Sequence, residues 1–107
     1  MKTVIADPAI QDKVKELKAL AAKYGVETEV SWRMYSADVA YMRVTRHGNA
    51  AIMMSQISFT DTGKIRITSY WREGTRTETV AAKHIEESLQ HLAERNEITR
   101  QRFGVSA

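Results

Sequence analysis

Near the start of the chain apolar residues recur at helical spacing. Ile10, Val14, Leu17, Leu20, Ala21 and Tyr24 fall on one stripe. Asp7 stands where an N-cap belongs, Pro8 suits the first helical position, and Gly25 suits a left-handed C-terminal cap. The pattern predicts a helix over about residues 8–24, with Lys13, Lys15, Glu16, Lys18 and Lys23 on its wet side. From Val26 to Val80 the period changes to alternation broken by turns, the mark of consecutive antiparallel strands. Turns are expected at S-A-D (36–38), H-G-N (47–49), D-T-G (61–63) and E-G (73–74).

Gly63 fits the position that closes a three-residue hairpin. That register pairs Phe59 with Ile65, Ile57 with Ile67, Ser55 with Ser69 and Met53 with Trp71. A two-residue loop at Gly48-Asn49 then sets Val44 opposite Met53 and Ala40 opposite Ile57, and a three-residue first loop puts Trp32 and Met34 on the same side. The segment V-A-A-K-H-I-E-E-S-L-Q-H-L-A-E-R predicts a second helix over about 80–95, with Ala81, Ile85, Ser88, Leu89 and Leu92 aligned. Ile98 and Phe103 do not continue that stripe. A break near Asn96 is therefore expected, with a short helical turn or basic tail over 96–107.

These elements predict a single α+β domain spanning 1–107: helix, a four- or five-stranded antiparallel meander over about 26–79, helix. Five strands at about 4.8 Å spacing make a sheet roughly 20–24 Å wide. Two helices of about 10 Å diameter cover one face of it, so both helices should lie on one face and leave the other open. The covered face is expected to carry Trp32, Met42, Val44, Met53, Ile57, Phe59, Ile65, Ile67 and Trp71. The open one is expected to carry Arg33, Tyr35, Val39, Tyr41, Arg43, Ile52, Met54, Gln56, Arg66, Thr68, Tyr70 and Arg72.

Charge singles out that open face. The 107-residue chain has a net charge of +3. Residues 1–29 hold five lysines against five carboxylates, and residues 80–107 four basic against four acidic groups. Residues 30–79 hold seven basic against four acidic, and six of those seven are arginine. Arginine makes planar, bidentate contacts and stacks on rings, whereas lysine mostly keeps a surface hydrated.

The binding residues expected on this face are Arg33, Tyr35, Tyr41, Arg43, Ile52, Met54, Arg66, Tyr70 and Arg72. A protein partner or a second copy of the chain is the first reading, because an aromatic and methionine centre ringed by arginine is what interfaces favour. A single-stranded nucleic acid is the second, with bases on the tyrosines and phosphates on the arginines. A merely solvated sheet face is the third. An adaptor, an inhibitor or an accessory protein of a mobile element would have this plan.

No catalytic constellation is legible, and an enzyme is not expected. The chain has no cysteine, so disulfides and thiolate sites are excluded. His84 and His91 are seven residues apart, about 10 Å along a helix axis, too far to share a metal with Glu87. Asp38, His47 and Asp61 are read as turn residues, and no glycine-rich loop is present to hold a phosphate. No metal, cofactor or membrane partner is expected. The short apolar run in M-K-T-V-I-A-D-P does not make a signal peptide, so the default expectation is cytoplasmic.

Overall fold

The computed structural model of the protein describes residues 7–71, 74–76 and 82–104, with the backbone alone at residues 52, 70, 71, 74–76, 82 and 83. Helix α1 (Pro8–Lys23) is followed by strands β1 (Thr28–Trp32), β2 (Ser36–Thr45), β3 (Gly48–Phe59), β4 (Ile65–Trp71) and β5 (Gly74–Arg76), and then by helix α2 (Ala82–Phe103). The strands lie in chain order in one open, fully antiparallel sheet. This is the expected α+β order, with five strands.

Local chemistry sets the ends of α1. The Asp7 carboxylate accepts the Ala9 N–H at 3.0 Å, and Pro8 occupies the first turn. Gly25, at φ 72°, turns the chain out of the helix while its N–H donates to Ala22 O at 3.0 Å. Ile10, Val14, Leu17 and Ala21 are buried. They meet Ala37, Val39, Tyr41, Met53 and Ile57 of the sheet and Ile85, Leu89 and Leu92 of α2 in one cluster. Both helices therefore cover the same face of the sheet, and the other face is open.

The β3–β4 hairpin has the expected register: Phe59 pairs with Ile65, Ile57 with Ile67 and Ser55 with Ser69. Thr60 N–H donates to Lys64 O at 2.6 Å, and Gly63 takes φ 79°. The buried hydroxyls of Ser55 and Ser69 lie 3.3 Å apart, small groups beneath the helices.

The β2–β3 hairpin differs. Its turn is Arg46-His47 and not Gly48-Asn49, because Thr45 pairs with Gly48 and the Thr45 hydroxyl donates to the Gly48 carbonyl. Ala40 now faces Met54 and Ala37 faces Ile57. The shift from the expected pairing is odd, so the two faces of β2 are exchanged. Ala37, Val39 and Tyr41 enter the core with no exposure at all. Beyond Tyr41↔Met53 the next pair is Met42↔Ala51, so Ile52 is the extra residue of a bulge.

Two further boundaries move. The first turn is Met34-Tyr35, closed by Arg33 N–H donating to Ser36 O at 2.9 Å, while Ser36, Ala37 and Asp38 already belong to β2. Helix α2 runs unbroken through Asn96 to Phe103. The buried series Ile85, Leu89, Leu92, Asn96 continues the stripe in phase with a polar member. Ile98 and Phe103 lie on the exposed side of the same helix.

The polar member has a defined task. Glu27 O accepts the Met42 N–H at 2.9 Å, the last bond from the β1 segment to β2. Past that point the Asn96 side chain takes the place of a strand peptide: Oδ1 accepts Val44 N–H at 2.9 Å and Nδ2 donates to Met42 O at 3.2 Å. The expected break at 96 is instead a joint between helix and sheet.

Candidate interaction surface

Residues directly opposite across antiparallel strands share a face, so the register lays out the open side in rows. One row is Glu29, Ala40, Met54 and Tyr70; the next is Ser31, Asp38, Gln56 and Thr68; the third is Ser36, Ser58 and Arg66. The bond from Arg33 to Ser36 adds Arg33 to the end of the third row. Met54 is 40% exposed and Arg66 is exposed, whereas Thr68 is buried. The middle of this face is small and polar, and it carries Asp38.

The expected arginine–tyrosine surface is thus only partly assembled. Arg66 and Met54 stand on the open face, and the backbone register puts Tyr70 there. Arg33 and Tyr35 are exposed, but at the β1–β2 turn. Arg43 is half-buried past the bulge, opposite Ala50, and Ile52 is the bulge residue itself. Tyr41 and Val39 must be removed from the open face, since both lie in the core. Arg72 and the expected 73–74 turn fall outside the described residues, save that Gly74 pairs with Trp71 at the start of β5.

What the sequence reading placed elsewhere is the densest apolar exposure on the described surface. Trp32 is 39% exposed, Met34 56% and Tyr35 65%, with exposed Arg33 between them. Trp32 does lie on the helix side of the sheet, opposite Ala37. It stays uncovered because β1 is the edge strand and α1 packs over β2 and β3. The turn itself is held from two sides: Arg33 N–H binds Ser36 O, and Asp7 N–H at the start of α1 donates to Met34 O at 2.9 Å. The signal available in the sequence was the run W-R-M-Y itself, four large side chains in a row just before Ser36.

Other polar groups are distributed without convergence. His84, Glu87 and His91 are exposed along α2, and among the described residues no three His, Asp or Glu side chains are grouped to hold a metal. Glu27, Met42, Val44, Asn49, Asn96 and Arg100 line a shallow notch beside the joint. There Asn49 donates to Glu27 at 3.0 Å, and the buried Arg100 Nε has no hydrogen-bond partner among the described residues. The Arg46 guanidinium lies 6.0 Å from the Phe103 ring centre.

Burial pushes the Tyr41 phenol above its ordinary pKa, with Ser55 partly offsetting the push. The Tyr41 hydroxyl has no hydrogen bond of ordinary geometry, so Ser55 is a close neighbour and not a full partner. At the far end of α1, Glu86 accepts from the Tyr24 hydroxyl at 2.5 Å and from Lys23 Nζ at 3.2 Å, and the Tyr24 bond first, then Lys23, lowers its pKa. No helix among the described residues is long and apolar enough to cross a membrane.

Comparison with known protein families, curated proteins and solved structures finds no match for this chain.

Proposed function

We propose that the chain is a small, non-enzymatic protein-binding domain whose contact centre is the β1–β2 turn, Trp32–Tyr35, with the Arg66 corner of the open sheet face as its rim. The observation that carries this reading is the concentration of exposed Trp32, Arg33, Met34 and Tyr35 on a turn tied to both β2 and α1. Tryptophan, tyrosine, arginine and methionine are the residues enriched where interfaces concentrate their binding energy. A turn already held in place loses less freedom on binding than a loose one. The nucleic-acid reading is weaker than the sequence suggested, because Tyr41 is buried and Asp38 sits mid-face.

The test is a photo-crosslinking residue at position 35, followed by reconstitution with the purified captured protein. Tyr35→Ala should then cost about 2 kcal/mol or more of binding, as a hot-spot residue does. Glu87→Ala on the exposed side of α2 should cost nothing measurable. Crosslinks to nucleic acid alone, with steeply salt-dependent oligonucleotide binding, would sink the proposal.

A further inference from the structure

The open face of the sheet is uneven in charge. Its third row crosses four strands, from Arg33 through Ser36 and Ser58 to Arg66. Ala37 and Ile57, next along β2 and β3, point into the core, so Ser36 and Ser58 point out to the open side. Strands lie about 4.8 Å apart, which sets the two arginine Cα atoms roughly 14 Å from one another. Both arginines are exposed and both serines are half-buried, so the row is a low saddle between two long cationic arms. The arms are long enough to close on one group lying between them.

Neither guanidinium has a partner among the described residues. The described ion pairs occupy Lys13, Lys23 and Arg100, and Arg46 lies against the Phe103 ring. The row holds no carboxylate. Lys64, exposed at the foot of β4, adds a third positive charge at this end, against Asp61 in the hairpin tip. Asp38 and Glu29 belong to the rows further in.

We propose that this row seats an acidic side chain of the partner. An extended protein segment beside the Trp32–Tyr35 turn would set an Asp or Glu over Ser36 and Ser58, between Arg33 and Arg66. The proposal rests on the protein-binding reading above and adds the chemistry of the partner. Each guanidinium offers a planar fork that matches a carboxylate, and the serine hydroxyls can donate to the same oxygens. Charge complementarity favours an acidic protein segment over nucleic acid. A nucleic-acid strand needs a track of cations for successive phosphates and rings for its bases. Here Asp38 stands in the very next row and Tyr41 is in the core. One carboxylate needs only the one row.

The test is a nuclear magnetic resonance titration of the isotope-labelled chain with hexaglutamate, with hexalysine and hexathymidylate run in parallel. Hexaglutamate should shift the Ser36 and Ser58 amides and the Arg33 and Arg66 Nε–H signals together and saturably, and hexalysine should shift none of them. Arg66→Gln should weaken binding roughly two- to fivefold, as the loss of one exposed ion pair does. Arg33→Gln/Arg66→Gln should remove the shifts at both serines. Both side chains are exposed, so the rest of the spectrum should stay in place. Lys15→Gln/Lys18→Gln removes the same charge from the exposed side of α1 and should leave the affinity unchanged. No shift at all, or equal loss in the two double variants, overturns the proposal. So does tighter binding of hexathymidylate to the same signals. A protein captured at position 35 alongside a titration indifferent to Arg33 and Arg66 would keep the contact centre and remove the acidic seat, so the two failures are distinguishable.

Discussion

Asn96 completes the edge of β2 by accepting the Val44 N–H at 2.9 Å, 52 residues away in sequence. Its side-chain nitrogen meets the Met42 carbonyl, so one buried amide satisfies a donor and an acceptor that β1 is too short to reach. Asn96→Leu removes both partners from groups that water reaches poorly, and should cost about 2–4 kcal/mol at roughly 1–2 for each orphaned group. Urea unfolding checks this. A Leu variant as stable as the parent would mean that the joint is ornamental.

Tyr41 offers the sharpest test of the exchanged faces of β2. If it filled an open sheet face, truncation would hardly affect folding. Buried as it is, Tyr41→Ala should cost about 3–5 kcal/mol, as large aromatic truncations in cores do. Tyr41→Phe deletes only a buried hydroxyl without a full partner and should be neutral or stabilising by up to about 1 kcal/mol. The two variants compared by thermal melting decide it.

Two substitutions of opposite expectation probe the sheet itself. Met54→Glu puts a charge on the open face, where it stays hydrated, and should leave the melting curve nearly unchanged. Ile57→Glu buries the charge in the helix-covered cluster at a cost of several kcal/mol, comparable to the whole stability of a small domain. Circular dichroism of both variants should show one folded and one unfolded protein.

The latch between the helices sets a pH window. Glu86 has its pKa lowered by Tyr24 and Lys23, so its contribution is present above the ordinary value of 4.5 and fades as pH falls through the lower folded value. Tyr24 and Lys23 are raised, first through their bonds to Glu86, from 10.0 and 10.5. Their contribution is present below those values and is lost as pH rises through the folded ones. Melting temperature against pH should therefore show a plateau between the acid and alkaline limbs. Glu86→Gln should flatten both limbs, and an unaltered profile would remove the latch from the account.

Where the sequence was readable, a single residue settled the geometry. Gly25 ended α1, and Gly63 fixed the β3–β4 hairpin and with it the pairs from Phe59↔Ile65 to Met54↔Tyr70, where the ladder stops short of the expected Met53–Trp71 pair. Strand β2 was ambiguous because both of its faces are apolar: Ala37, Val39 and Tyr41 on one, Ala40, Met42 and Val44 on the other. Periodicity cannot choose between two apolar faces. The turn chose, at Arg46-His47, and a bulge at Ile52 absorbed the mismatch.

The expected break near Asn96 has a related cause: Ile98 and Phe103 fall out of phase with the apolar stripe, and the residue that does continue it, Asn96, is polar and buried only because its partners lie on β2. Trp32 misled in the other direction. Its face was right, but exposure depends on which strand is the edge and where α1 lies, and neither is written in local pattern. The candidate site inherited these errors. Arg66 and Met54 survive on the open face, Tyr35 and Arg33 move to the turn, and Tyr41 leaves for the core.

The bond from Asp7 N–H to Met34 O has a practical consequence for anyone who needs to label the molecule. It moors the start of α1 to the tip of the first hairpin, so an inserted epitope or a bulky dye between Arg33 and Ser36 pulls on the helix as well as the turn. The Asp61-Thr62-Gly63 tip is exposed and held chiefly by its own hairpin bonds and the Thr60–Thr62 hydroxyl contact. A fluorophore on a cysteine introduced at Thr62 is unique in this cysteine-free chain and leaves the moored end undisturbed.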